Sequence, residues 1–257
     1  MMYATTPLRL TAAVLLLSTA AVSAAACAPR PPVEDSAPAF ALTSADAVIP
    51  DDRVEYPLNF IFMAPEGDTI WTDLTGLTFG EFDFAPGEFS VTQGEGTDGY
   101  LLGNLSVEIT PPDTAVTFDT VELFYDGLTE PRTSDVGSWT ITTAPAEEFA
   151  TTTAGAEVAA IAGCTSANLP VAADVTAVSD VTTGVPDVET SSVEFLPEER
   201  AVRIGLDCID TADFYIISPS ATLTTGGTDT AARFAPIAIG YQDIDDEDLQ
   251  RIRSRVG

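Results

Sequence analysis

Acids and aromatic rings are interleaved at one place in this chain. Glu81, Asp83 and Glu88 lie among Phe79, Phe82, Phe84 and Phe89, with Trp71 close in sequence. A carbohydrate site uses such materials, rings for stacking and paired acids for cleaving a glycosidic bond. The same residues also read as an alternating strand, Phe82 and Phe84 inward, Glu81 and Asp83 outward, and that is the expected arrangement. Three further acidic runs carry oxygens that suit calcium: Gly94-Glu95-Gly96-Thr97-Asp98-Gly99, Asp243-Ile244-Asp245-Asp246-Glu247-Asp248, and Asp51-Asp52. The second lacks the glycine and distal glutamate of an EF-hand loop. With 40 Asp and Glu in the chain, turns and helix starts rich in acids are the default. No catalytic, cofactor or metal residue is assigned. Asn104-Leu105-Ser106 has the form of a glycosylation sequon, a short pattern that carries little weight by itself.

The missing residue types exclude more than the present ones suggest. There is no His, which removes Ser-His-Asp and Cys-His nucleophiles and His-bound zinc or copper. There is no Lys, which removes Schiff bases and phosphate-loop lysines. Ten Arg face 40 acids, for a net charge of −30. Nucleic acid is excluded as a partner, because phosphate binding needs cations to displace counterions. Anionic headgroups are repelled for the same reason.

The elements that would hold any site are strands. Leu105-Ser106-Val107-Glu108-Ile109 and Val202-Arg203-Ile204-Gly205-Leu206-Asp207-Cys208 alternate apolar and polar residues. Turn clusters separate such runs: Thr110-Pro111-Pro112-Asp113-Thr114, Leu196-Pro197-Glu198-Glu199-Arg200 and Thr225-Gly226-Gly227-Thr228-Asp229. Thr, present 34 times, suits a half-buried pleated surface. Short strands spaced by turns predict an all-β protein of antiparallel sandwiches. Residues 106–118 align without gaps to 192–204, with six of thirteen positions identical. The match suggests a duplicated unit of immunoglobulin-like size. The expected organisation is therefore two tandem β-sandwich units, 49–150 and 151–257. The second ends in a short C-terminal helix over the tail 243–255, with acids at its start, Arg at its end and a stripe of Leu249, Ile252 and Val256.

The N-terminus differs from all of this. One basic residue, Arg9, precedes the apolar run 10–22, and small residues follow up to Ala26. That is the layout of a secretory signal peptide over 1–26; a retained membrane anchor is the alternative, although the run is short for a span. Ala24-Ala25-Ala26-Cys27 resembles the lipobox of bacterial lipoproteins, with Ala24 where the family prefers Leu or Val. The resemblance covers only the first 40 or so residues. It implies that Cys27 is the lipidated N-terminus, that 27–48 is a Pro-rich tether, and that the chain sits on the outer face of the cell membrane through its lipid. Ordinary cleavage after Ala26 would give a secreted protein instead. Lipidation of Cys27 would leave Cys164 and Cys208 as a disulfide pair in an oxidising compartment, two free buried thiols being the alternative. The function expected is that of a non-enzymatic, membrane-anchored lipoprotein presenting β-sandwich modules for binding or envelope structure. The rival is a secreted carbohydrate-active protein using the acids and rings of 79–89.

Overall fold

In the computed structural model, residues 37–150, 159–242 and 244–255 are described, and they fall in a single compact unit. Alternation of apolar and polar residues produces strands nearly throughout. The first half contains β1 (Ala39–Phe40), β2 (Thr43–Pro50), β3 (Tyr56–Pro65), β4 (Leu74–Phe79), β5 (Phe82–Phe84), β6 (Phe89–Thr97), β7 (Tyr100–Ile109), β8 (Val116–Tyr125) and β9 (Arg132–Ala144). The second contains β10 (Ala159–Ile161), β11 (Ser166–Pro170), β12 (Val175–Thr182), β13 (Val188–Leu196), β14 (Ala201–Cys208), β15 (Phe214–Ile217), β16 (Ser220–Thr225), β17 (Thr228–Arg233) and β18 (Ile237–Ile239). One helix, α1 (Asp246–Arg253), follows. The protein is all-β with a short C-terminal helix, as the sequence predicts.

The strands form two sandwich lobes with separate cores. In the first, the sheet β1-β3-β7-β6 faces the strands β2-β9-β8-β4-β5 across a core rich in aromatic residues. Phe60 packs on Phe79 and Trp139 with ring centroids 5.2 Å apart in both cases, and Phe118 stacks on Trp139. Gly103 is required there, because a Cβ would fall 2.2 Å from Phe62. In the second lobe, β11-β14-β13 and β12-β16-β17 enclose a mainly aliphatic core that includes Leu169, Val188, Val202, Ile204, Leu206 and Leu223, with the rings of Tyr215 and Phe234 beside them.

The lobes are joined by one continuous sheet, ordered β10-β18-β15-β2-β9-β8-β4-β5. Most ladders in the molecule are antiparallel, but β2 runs parallel to both β9 and β15. The strands β15 and β18 are apolar at every position because both faces are buried. Tyr215, Ile217, Ile237 and Ile239 enter the second core, while Ile216 and Ala238 enter the first. The segments 214–225 and 228–239 form one long hairpin, closed at the tight Gly226-Gly227 turn, where both residues have positive φ. Pro219 and Pro236 break its ladders midway, so one half belongs to the shared sheet and the other to the second lobe.

Three expectations need correction. Residues 39–48, read as part of a tether over 27–48, form β1 and most of β2, and Ala39, Phe40, Ala45 and Ala47 are buried. Small alanines hide this strand in sequence, yet they are what allows β2 to lie at the middle of the widest sheet. The segments 106–118 and 192–204 are not equivalent hairpins. β13 and β14 do pair, across a turn closed by Glu199 N–H to the Leu196 carbonyl with Pro197 second, a position proline favours. β7 and β8 lie in different sheets, because two consecutive prolines, Pro111-Pro112, hold the connection extended. The resemblance between the segments is one of alternating β sequence. Finally, α1 packs on the first lobe and not the second: Ile252 is fully buried with Ala39, Ala41, Met63 and Phe214.

Candidate functional site

Strand alternation decides what faces solvent. On β3 and β7 the residues Asn59, Asn104, Ser106 and Glu108 project away from the first core. Ser106 Oγ donates to Asn59 Oδ1 at 2.6 Å, and Asn104 Nδ2 donates to the same oxygen at 3.0 Å and to Ser106 Oγ at 3.1 Å. The sequon Asn104-Leu105-Ser106 thus contributes both polar residues to this network. α1 covers the neighbouring part of the sheet face, over Ile61, Met63 and Leu102. The uncovered part is the floor of an open cleft of about 580 Å³, walled by the β5–β6 turn.

That turn brings in part of the segment the sequence singled out. Asp83, Phe84, Glu88 and Phe89 line the cleft, facing Glu55, Asn59, Ser106 and Glu108. Glu81, Phe79, Phe82 and Trp71 do not join them. Phe79 is buried and packs on Phe82 and Phe84 at 5.5 Å in the aromatic core. Trp71 lies against Phe62 and donates its indole N–H to the Pro65 carbonyl. The expected alternation, rings inward and acids outward, is what β5 shows. Asp83 accepts from Thr78 Oγ1 at 2.8 Å, and Glu88 accepts from the Ala85 N–H at 2.8 Å, which closes the turn. Sequence reading missed Glu55, Asn59 and Glu108, and named Ser106 only as part of a sequon, because no local spacing shows that β3 and β7 lie beneath the 83–90 turn.

The calcium candidates take structural roles. Asp98 opens the β6–β7 hairpin turn and pairs with Arg253 at 3.0 Å. Asp245 caps α1, its side chain accepting from the Glu247 and Asp248 N–H groups; Asp243 lies outside the described residues. Asp51 accepts from the Ala146 N–H at 2.9 Å. Among the described residues no three Cys, Asp or Glu side chains converge as metal ligands.

The strongest electrostatic feature is Asp213, which no sequence pattern marked. Its carboxylate is fully buried and accepts from the Leu42 N–H at 2.7 Å, Arg251 Nε at 2.6 Å and both terminal nitrogens of Arg255. Burial alone would raise its pKa, but the donors from Arg255, Leu42 and Arg251 outweigh that and hold it below the usual carboxylate value. Asp213 clasps the C-terminal helix onto the strand junction. Cys164 and Cys208 form a disulfide with Cα atoms 5.9 Å apart, at the edge of the second core. Cys27 lies outside the described residues.

These features define an all-β sandwich protein with a disulfide, an open polar cleft and a clamped C-terminal helix. No family model matches the sequence, and no curated protein does. Solved structures with some likeness include the N-terminal eight immunoglobulin domains of Down Syndrome Cell Adhesion Molecule, at 9% identity and TM-score 0.23, covering 79% of this chain and 28% of that one. An endo-fucoidan hydrolase from glycoside hydrolase family 107 shows 16% identity and TM-score 0.21, with 80% and 28% covered. The C-terminal domain of the Streptococcus agalactiae antigen I/II polypeptide BspA shows 9% identity and TM-score 0.21, with 78% and 99% covered. This chain thus spans about 28% of the length of the first two. None of the three superimposes as a whole, and the fold rests on the strand pairing itself.

Proposed function

We propose that this chain is an exported surface lipoprotein, anchored through Cys27, whose sandwich lobes bind or scaffold and do not catalyse. The observation that carries the anchor is cysteine pairing. The chain has three Cys, and Cys164 and Cys208 are bonded to each other. The cysteine left over is the one that follows Ala24-Ala25-Ala26. A persistent disulfide suits an oxidising compartment outside the cytoplasm. The Pro-rich residues 28–38 end where β1 begins, and at about 3 Å per residue in extended form they would span roughly 30 Å from a membrane surface.

A binding role is supported by the cleft. It offers amide and hydroxyl groups from Asn59, Ser90 and Ser106 beside four exposed carboxylates, Glu55, Asp83, Glu88 and Glu108. A glycosidase seats its acid carboxyl in buried, apolar surroundings, whereas Glu55, Asp83, Glu88 and Glu108 are all exposed to solvent. Phe84 and Phe89 at the wall favour a second reading of the same cleft, as a place where a neutral sugar is held.

Fractionation of cells expressing the full chain tests the anchor. The wild type should sediment with membranes, and Cys27→Ser should move it to the soluble fraction. Retention of the variant in the membrane overturns the lipid anchor. A glycan array on the same variant tests the second reading, with Ser106→Phe, which fills the cleft floor, as the control.

A further inference from the structure

The first lobe leaves a strand edge unguarded beside the outer cleft. β6 ends the sheet β1-β3-β7-β6, so alternate N–H and C=O groups along it point away from β7. Its ladder with β7 is regular from Phe89 to Gln93, and the register shifts only between Gln93 and Gly96. Among the described residues no other backbone hydrogen bond reaches this stretch. Sheet edges are usually guarded by charge, proline or shortness. Here β1, β5 and β10 have two or three residues, β11 ends in Pro170, and β12, β13 and β17 each contain a charged residue. Phe89-Ser90-Val91-Thr92-Gln93 has none of these guards.

The two faces of this edge differ. Phe89 and Val91 pair with Val107 and Leu105, which are buried, so their side chains point inward. β5 ends the wide sheet where β6 ends the narrow one. Phe82 and Phe84 of β5 with Phe89 and Val91 of β6 therefore leave a half-buried apolar row where the two sheets stop. Ser90 and Thr92 point outward and are exposed. Ser90 lines the cleft with Glu55, Asp83, Glu88 and Glu108, and no basic residue lines it. Glu88 precedes Phe89, and Glu108 follows its partner Val107, so two carboxylates sit at the same end of the ladder.

We propose that β6 pairs with an extended segment of a protein partner in which apolar residues alternate with Arg or Lys. This rests on the binding role of the cleft and names its partner. The backbone of 89–93 supplies the pairing, as in strand addition to a sheet edge. Apolar side chains of the added strand continue the row of Phe84, Phe89 and Val91. Its cations fall on the outer face, toward Glu88 and Glu108. Charge selects the partner, because a cationic strand is drawn to a chain of net charge −30, whereas a second copy is repelled.

Proton–nitrogen correlation spectra of the full chain, titrated with acetyl-Arg-Val-Arg-Val-Arg-Val-Arg-amide, test this. Saturable shifts should cluster at 89–93, and hydrogen exchange should slow at alternate amides there. The same peptide N-methylated throughout keeps its charge but cannot donate, and it should bind at least about tenfold more weakly. Val91→Lys places a charge on the inward face of the edge and should abolish binding. Glu88→Gln and Glu108→Gln, both at exposed positions, should each weaken it by up to about fivefold at about 0.1 M salt and leave it unchanged at about 1 M. The proposal is overturned if the N-methylated peptide binds equally, since charge alone would then explain the attraction. Shifts scattered over the acidic surface also overturn it. Protection of 89–93 that rises with protein concentration, without peptide, would make a second copy the partner instead. A neutral sugar bound in the cleft, with no peptide bound at β6, would overturn the partner and leave the binding role standing.

Discussion

The two lobes solve one packing problem by different means. The first fills its core with large rings, Phe40, Phe60, Phe62, Phe79 and Trp139, drawn from both sheets. The second relies mainly on Val, Ile, Leu and Ala, which bury less area per side chain, with Tyr215 and Phe234 as its buried rings, and adds a covalent link, Cys164–Cys208. A disulfide acts largely by restricting the unfolded chain, so it supports a lobe whose core is thin. The first lobe has no such link and depends on contact area, each buried ring contributing more than an aliphatic side chain. The lesson is that fused sandwiches sharing one sheet need not share one source of stability.

Substitutions should separate these sources. The largest effect is expected for Trp139→Ala, which empties the centre of the aromatic core. It should cost about 3–5 kcal/mol in urea unfolding. A loss below about 1 kcal/mol would mean that the rings are not what holds the first lobe. Replacing Cys164 and Cys208 together by Ser should cost about 2–4 kcal/mol. Hydrogen exchange should then accelerate over 166–208 while β3 and β7 stay protected. Uniform acceleration in both lobes would show that the disulfide supports the whole molecule through the shared sheet.

The clasp between helix and junction gives an intermediate effect. Asp213→Asn should cost about 1.5–3 kcal/mol, the range for hydrogen bonds to a charged partner. The sign of its pH dependence follows from the lowered pKa of Asp213. The stabilisation is full above the unfolded value of about 3.9 and is lost as pH falls through the lower folded value. The stability gap between wild type and Asp213→Asn should therefore close below about pH 4, as chemical denaturation at stepped pH would record. The smallest effect belongs to Asp98→Asn, which removes the charge but keeps a residue that tolerates the positive φ at this turn. Its pair with Arg253 has the Asp98 side chain 76% exposed, and exposed pairs contribute about 0.2–1 kcal/mol. A larger loss would shift the clasp from Asp213 to the hairpin tip.

Some of this was legible one segment at a time. The alternation of Leu105 to Ile109 and of Val202 to Cys208 marks β7 and β14, and the Gly226-Gly227 turn marks the hairpin between β16 and β17. The acids of 245–248 and the apolar Leu249 and Ile252 mark α1; Val256 lies outside the described residues. The Asp83 and Glu88 half of the cleft was visible as acids facing away from rings. Its floor was not, since Asn59 and Ser106 are 47 residues apart and meet only through strand pairing. β2 escaped notice because the alternating inward positions of its first half include Ala45 and Ala47, and alanine carries little strand signal.

By itself, then, the sequence determined the strand character, the turns, the C-terminal helix, and which chemistries are absent for want of His and Lys. These depend on neighbours within a few residues, where backbone sterics and side-chain spacing act directly. Tertiary structure alone decided which sheet each strand joins. Two segments with nearly the same pattern, 106–118 and 192–204, take opposite courses, one crossing between sheets and one folding back as a hairpin. Alternation says only that a strand has a buried face, and is the same for any sheet that could cover it. The partner is chosen by connection geometry and by long-range packing, which put β2 at the centre of the shared sheet and Asp213 beneath the arginines of the C-terminal tail.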